Sequence, residues 1–119
     1  MDPSQSILAR LMAVIEDRKA NPSEKSYTNR LLAGGVAAIG AKIVEEAAEV
    51  VAAAAEPGPA GRSHTIHEAA DLVYHLFVLL GHRDISLSEV EAELARRSGI
   101  SGLDEKASRN QGTPPAETS

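Results

Sequence analysis

The chain has no cysteine and no tryptophan, and only one phenylalanine and two tyrosines in 119 residues. Without cysteine, disulfides, thiolate metal sites and cysteine nucleophiles are excluded. With so few aromatics, the 43% apolar fraction must pack through Ala, Leu, Val and Ile, side chains suited to closely spaced helices. Positive charge is also scarce. A formal net charge of −5 argues against nonspecific nucleic-acid binding, which needs a basic surface. Apolar runs such as LFVLL (Leu76–Leu80) fall far short of the roughly 20 residues that cross a membrane. The opening MDPSQSILARLMAVIEDRK lacks the basic start and long apolar stretch of a secretory leader. These absences predict a cytoplasmic protein with neither membrane nor nucleic-acid partners, and the length suits one domain with a single core.

What is present is helical periodicity. Ile7, Leu8, Leu11, Met12, Val14 and Ile15 follow helix spacing, with Ser4 or Ser6 as N-cap and Pro22 closing the segment. A short helix is predicted over Tyr27–Ala33, stopped by Gly34-Gly35. A third is expected over Val36–Glu56 and ended by PGPAG (Pro57–Gly61), a fourth from Ser63 or Thr65 to His82 or Arg83. Ser86 reads as the N-cap of a fifth, LSEVEAELARR, with Glu89 completing a capping box. The sequence shows no convincing strand and no regular repeat. The reading is an all-α small helical bundle of four to five helices over residues 1–109, with a disordered polar tail at 110–119. The fourth helix spreads Ile66, Ala69, Val73, Leu76, Phe77 and Leu80 over a broad apolar arc, beside a narrow polar stripe of His64, Glu68, Asp71, His75 and His82. A helix apolar nearly all round expects burial on several sides, so the core is expected to be completed by homodimerisation.

Two helix-spaced carboxylate pairs carry the chemistry: Glu46/Glu49 in KIVEEAAEVV and Glu68/Asp71 in HEAADLVYH. Residues three apart are neighbours on a helix surface. Ile39, Ile43, Ala47, Val50 and Ala54 read as the core stripe of the third helix, flanked by Glu46 and Glu49, with Glu45 turned further round. Four carboxylates packed together raise one another's pKa, and a divalent cation removes that cost. Two such pairs on facing helices suit a hard cation such as Mg²⁺, held by oxygen ligands. Each motif alone is also compatible with an ordinary solvated acidic face. Their joint occurrence on consecutive Ala-rich helices favours metal-assisted chemistry on a phosphate.

The segments SYTNRLLAGG (Ser26–Gly35), KIVEEAAEVV, EAADLVYHLFVLLGHRDISLSEVEAELARR (Glu68–Arg97) and GISGLDEKASR (Gly99–Arg109) together resemble the phosphoribosyl-ATP pyrophosphatases of histidine biosynthesis, within the all-α (MazG-like) nucleoside-triphosphate pyrophosphohydrolases. The resemblance covers about Ile7 to Arg109, and the GLDEKASR ending carries much of its specificity. Val44, where many relatives have Gly, and Arg30, at a position often small, depart from the pattern without removing a carboxylate. The resemblance implies Mg²⁺-dependent hydrolysis of 1-(5-phosphoribosyl)-ATP to the AMP derivative and pyrophosphate. It implies Glu46, Glu49, Glu68 and Asp71 as metal ligands, with Glu45 positioning or deprotonating the water. The fused cyclohydrolase domain of some relatives is absent, so the product would pass to a separate cyclohydrolase.

Supporting residues carry two readings each. Lys42 either touches a metal-held phosphate or pairs with Glu46 at i,i+4. Tyr27 and Thr28 either open a helix N-terminus that receives an anion or serve as cap and packed ring. His75 either reaches substrate or is structural, and His64, His67 and His82 weigh less. Arg96, Arg97, Lys106 and Arg109 either complement a helix C-terminus or bind the extra ribose 5-phosphate of the substrate. Two other functions remain open at this point: a house-cleaning nucleotide pyrophosphatase and a non-catalytic helical oligomerisation module.

Overall fold

A computed structural model describes residues 6–98, which form α1 (Ile7–Ala20), α2 (Tyr27–Ala54), α3 (Gly58–His82) and α4 (Leu87–Ser98). The all-α reading holds, with no strand among the described residues. The expected polar tail, Lys106 and Arg109 lie outside them. The chain divides into two compact units between Ile85 and Ser86.

In the first unit α2 and α3 pack along their length and α1 lies mainly on α3. Ser6, one of the two expected caps, accepts the Ala9 N–H at 3.1 Å. Met12 and Ile15 carry the buried side of α1. At its far end Lys19 Nζ donates to the carbonyls of Gly81 and His82 at 3.3 and 3.0 Å and to Asp84 Oδ1 at 2.8 Å. A cation from α1 thus closes the C-terminus of α3, where carbonyls lack intrahelical partners.

The expected break at Gly34-Gly35 is present as a kink rather than a turn. Gly35 has φ 70° and ψ −162°, a region essentially closed to side-chain-bearing residues, inside an otherwise continuous α2. The start of α3 differs from expectation. Its first turn begins at Gly58, not at Ser63 or Thr65, and the PGPAG segment supplies its N-terminus. Pro59 sits where the amide would have no intrahelical partner, so proline is tolerated there and opens the helix rather than ending the previous one.

The faces are also turned from expectation. Ile39, Glu46 and Ala53, seven apart, form the most buried line of α2, whereas Ala54 is exposed and Ile43, Ala47 and Val50 are half-buried. On α3, Glu68 and His75 from the polar stripe are buried, whereas Ile66 and Leu76 from the apolar arc are exposed. The acidic residues therefore lie in the α2–α3 seam, and part of the apolar surface faces outward.

In the second unit, α4 opens with the predicted capping box. Glu89 N–H donates to Ser86 Oγ at 3.2 Å while Glu89 Oε2 accepts the Ser86 N–H at 2.9 Å. Arg96 and Arg97 both pair with Glu93 on the same helix.

Candidate metal centre

Glu46 and Glu49 come from the second half of α2 and Glu68 from the middle of α3. The three offer carboxylate oxygens all within 4.8 Å of one another. Glu46 is 6% exposed and Glu68 9%. One oxygen of each, Glu46 Oε1 and Glu68 Oε1, is buried without a hydrogen-bond partner. Two ionised carboxylates cannot satisfy each other. A shared proton or a cation between them would.

The titration behaviour has the same origin. Burial, then the neighbouring Glu68 and the charges of Glu49 and Asp71, push Glu46 from 4.5 up to about 7. Glu49 is raised as well, first by its contact with Glu68 and then by burial. Burial pushes Glu68 upward, but hydrogen bonds with Glu49, Glu46 and His64 together carry it below the usual carboxylate value. This donor set of carboxylate oxygens, two of them buried and unpartnered, fits a hard divalent cation.

The fourth expected ligand, Asp71, lies with His67 and Glu68 in an adjoining group, also within 4.8 Å. Glu68 belongs to both groups, and the charge of Asp71 reaches Glu46. His67 Nε2 stands 3.5 Å from Asp71 Oδ2. Glu45 is exposed, as its angular position predicts. Lys42 pairs with Glu45 at 3.3 Å rather than with Glu46, because Glu46 turns into the seam and Glu45 stays beside the ammonium. That pairing, led by the hydrogen bond, holds Lys42 above its ordinary value.

Tyr27, Thr28 and His75 are brought together. His75 Nδ1 lies 2.9 Å from the Asp71 carbonyl, which can only accept, so Nδ1 carries the proton. Nε2 then accepts the Tyr27 hydroxyl at 3.0 Å. Thr28 Oγ1 hydrogen-bonds the Tyr74 hydroxyl. The Tyr27 and Tyr74 rings stack at 6.2 Å, and the Arg30 guanidinium lies 5.7 Å from the Tyr27 centroid. Ser26 caps the helix through the Asn29 N–H, so the cap and the packed ring are both present. Arg97 is in the second unit, paired with Glu93 at 3.5 Å.

Sequence reasoning gave little weight to His64, which proves to be engaged at both ring nitrogens. Nδ1 faces Glu56 at 3.0 Å and Nε2 faces Glu68 Oε2 at 3.2 Å. The signal was its i,i+4 spacing to Glu68. The partnership with Glu56 crosses a turn and had no local signature.

Residues 8–98 match the family model described as phosphoribosyl-ATP pyrophosphohydrolase. The chain belongs to that family. It is 58% identical over 102 residues to the phosphoribosyl-ATP pyrophosphatase of Rhodopirellula baltica, covering 86% of this chain and 85% of the relative. It is 49% identical over 109 residues to that of Geotalea daltonii, covering 91% and 99%. The Dinoroseobacter shibae enzyme of the same name is 48% identical over 104 residues, covering 87% and 99%. Membership of the phosphoribosyl-ATP pyrophosphohydrolase family makes the chain a hydrolase acting on a pyrophosphate bond.

Proposed function

We propose that the protein hydrolyses 1-(5-phosphoribosyl)-ATP to 1-(5-phosphoribosyl)-AMP and pyrophosphate, a Mg²⁺-dependent step of histidine biosynthesis in the cytoplasm, and that it acts as a homodimer. The observation that carries this reading is the triad Glu46, Glu49 and Glu68, with two buried unpartnered oxygens, in a chain of this family. These three, with Asp71 beside them, would hold the cation. A bound Mg²⁺ supplies charge neutralisation for the triphosphate and lowers the pKa of water. Glu45, exposed beside the cluster, would orient or deprotonate the water. Lys42 would place an ammonium against the leaving phosphates, where developing charge is best stabilised. Water adds at the α-phosphorus, the α–β anhydride bond breaks, and the leaving pyrophosphate takes the bond electrons. Tyr27, Thr28 and His75 would shape the substrate side, and the basic residues Arg97, Lys106 and Arg109 would receive the ribose 5-phosphate.

The support is 58% identity over 102 residues to a relative of that name, together with the oxygen-rich site. The test is pyrophosphate release from phosphoribosyl-ATP, with and without Mg²⁺, beside ATP and dCTP. Mg²⁺-dependent release from phosphoribosyl-ATP alone is expected. Equal release from ATP or dCTP would make the protein a general nucleotide pyrophosphatase, and release from none would remove the catalytic reading.

A further inference from the structure

The turn between α2 and α3 is more elaborate than a helix hairpin needs. Glu56 follows the α2 cap, with its N–H donating to the Ala53 carbonyl at 3.0 Å. It lies so close to the first turn of α3 that a Cβ on Gly61 would overlap its carbonyl. Glycine at 61 therefore lets the Glu56 backbone lie against α3. The Glu56 carboxylate then reaches His64 Nδ1 with both oxygens, at 3.1 and 3.0 Å. His64 Nε2 meets Glu68 Oε2 at 3.2 Å. Neither carboxylate can donate when ionised, so the ring must donate from both nitrogens to make both bonds. Glu68 Oε2 is thereby engaged by the ring, while Oε1 is buried without a partner.

We propose that Glu56 and His64 are positioning residues that orient Glu68 so that its Oε1 faces the cation site. The inference rests on the metal-centre reading above and adds two residues to it. Ligating carboxylates are commonly fixed by hydrogen bonds from a further ring of residues, whose loss costs about 10- to 100-fold in metal affinity or activity. A surface ion pair alone would do nothing of the kind, since exposed pairs add little to stability. His64 and Glu56 are both partly exposed, at 44% and 46% of their side chains. Replacing them should therefore leave the fold intact.

The experiment is Mn²⁺ binding to the full chain without nucleotide, followed by electron paramagnetic resonance, for the wild type, Glu56→Gln, His64→Ala and the double variant. Melting temperatures in chelator are taken alongside. His64→Ala should weaken Mn²⁺ about tenfold or more and Glu56→Gln by a smaller factor. Glu56→Gln should add nothing in the His64→Ala background, because Glu56 acts through the ring. The chelated melting temperatures should stay close to wild type. Affinities within twofold of wild type in His64→Ala, or two losses that multiply, would overturn the inference. If the wild type itself bound no Mn²⁺, the metal-centre reading would fall and this one with it. If the wild type bound and the variants bound equally, only this one would fall.

Discussion

At the scale of single residues, Glu46 stands out because an acid occupies the place of a core side chain. It shares the most buried line of α2 with Ile39 and Ala53. Its carboxyl titrates near 4.5 when the chain is unfolded and near 7 when folded. Between those values the folded state holds the extra proton, so this contribution to stability falls as pH rises through the window and is fully lost above it. Glu49 and His64, both raised, act in the same direction. Glu68, lowered, contributes stability that disappears only at more acid pH. Metal-free protein should therefore melt at progressively lower temperature from about pH 5 to about pH 8. Glu46→Gln should flatten that slope and melt above wild type at the alkaline end, while losing at least roughly a hundredfold in pyrophosphate release. Scanning calorimetry in chelator checks the first part, and an unchanged slope in the variant would contradict it. Because a cation must displace the proton, Mn²⁺ affinity should weaken as pH falls below 7, by up to about tenfold per pH unit.

At the scale of elements, the two glycines Gly35 and Gly40 make a matched pair within α2. Gly35 occupies a conformation nearly closed to other residues, and Gly40 lies in regular helix with open space where a Cβ would go. Gly35→Ala should cost about 1–3 kcal/mol in urea unfolding. Gly40→Ala should add about 0.5–1 kcal/mol from reduced freedom of the unfolded chain. Equal effects would show that the kink is not a real constraint. The place of the break at Gly34-Gly35 (though not its form as a kink within one helix), the caps at Ser6 and Ser86 and the helix ends near Ala20, His82 and Ser98 were legible because each has a local cause in backbone chemistry. The start of α3 was not, because Pro-Gly-Pro is compatible both with ending one helix and with opening the next. That Glu46, Glu49 and Glu68 would come together was legible from spacing and setting, whereas Asp71 falls in an adjoining group with His67. The direction of these carboxylates was not, because in an Ala-rich helix many faces are equally apolar and periodicity cannot say which one turns inward. His64–Glu56 depends on a turn whose path only the folded backbone reveals.

At the scale of the whole molecule, the exposed apolar side chains are where the proposed homodimer can be tested. Val44 and Val51, seven residues apart on α2, are each 71% exposed, and Ile66 and Leu76 on α3 are also open. Val44 and Val51 share one side of α2, and under the proposed homodimer they would lie in the interface. Under the proposed homodimer, the wild type should sediment at twice its 12.5 kDa chain mass. Val44→Lys combined with Val51→Lys should raise the dimer dissociation constant by about a hundredfold, the loss of roughly 2.7 kcal/mol of apolar burial, with helicity retained. A wild type that stays monomeric at high micromolar concentration would rule the dimer out.

The acids in the α2–α3 seam also bear on alignment. The Ala-rich second half of α2 gives α3 few distinctive features to fix its register, since one small side chain is much like the next. A slip of one helical turn would carry Glu46 about 5.4 Å along α3, too far for it and Glu68 to share a cation whose ligands stand about 2.0–2.1 Å away. Under the proposed metal site the carboxylates would then serve as an alignment mark: of the registers that the small side chains of α2 would accept, a common ion would admit one.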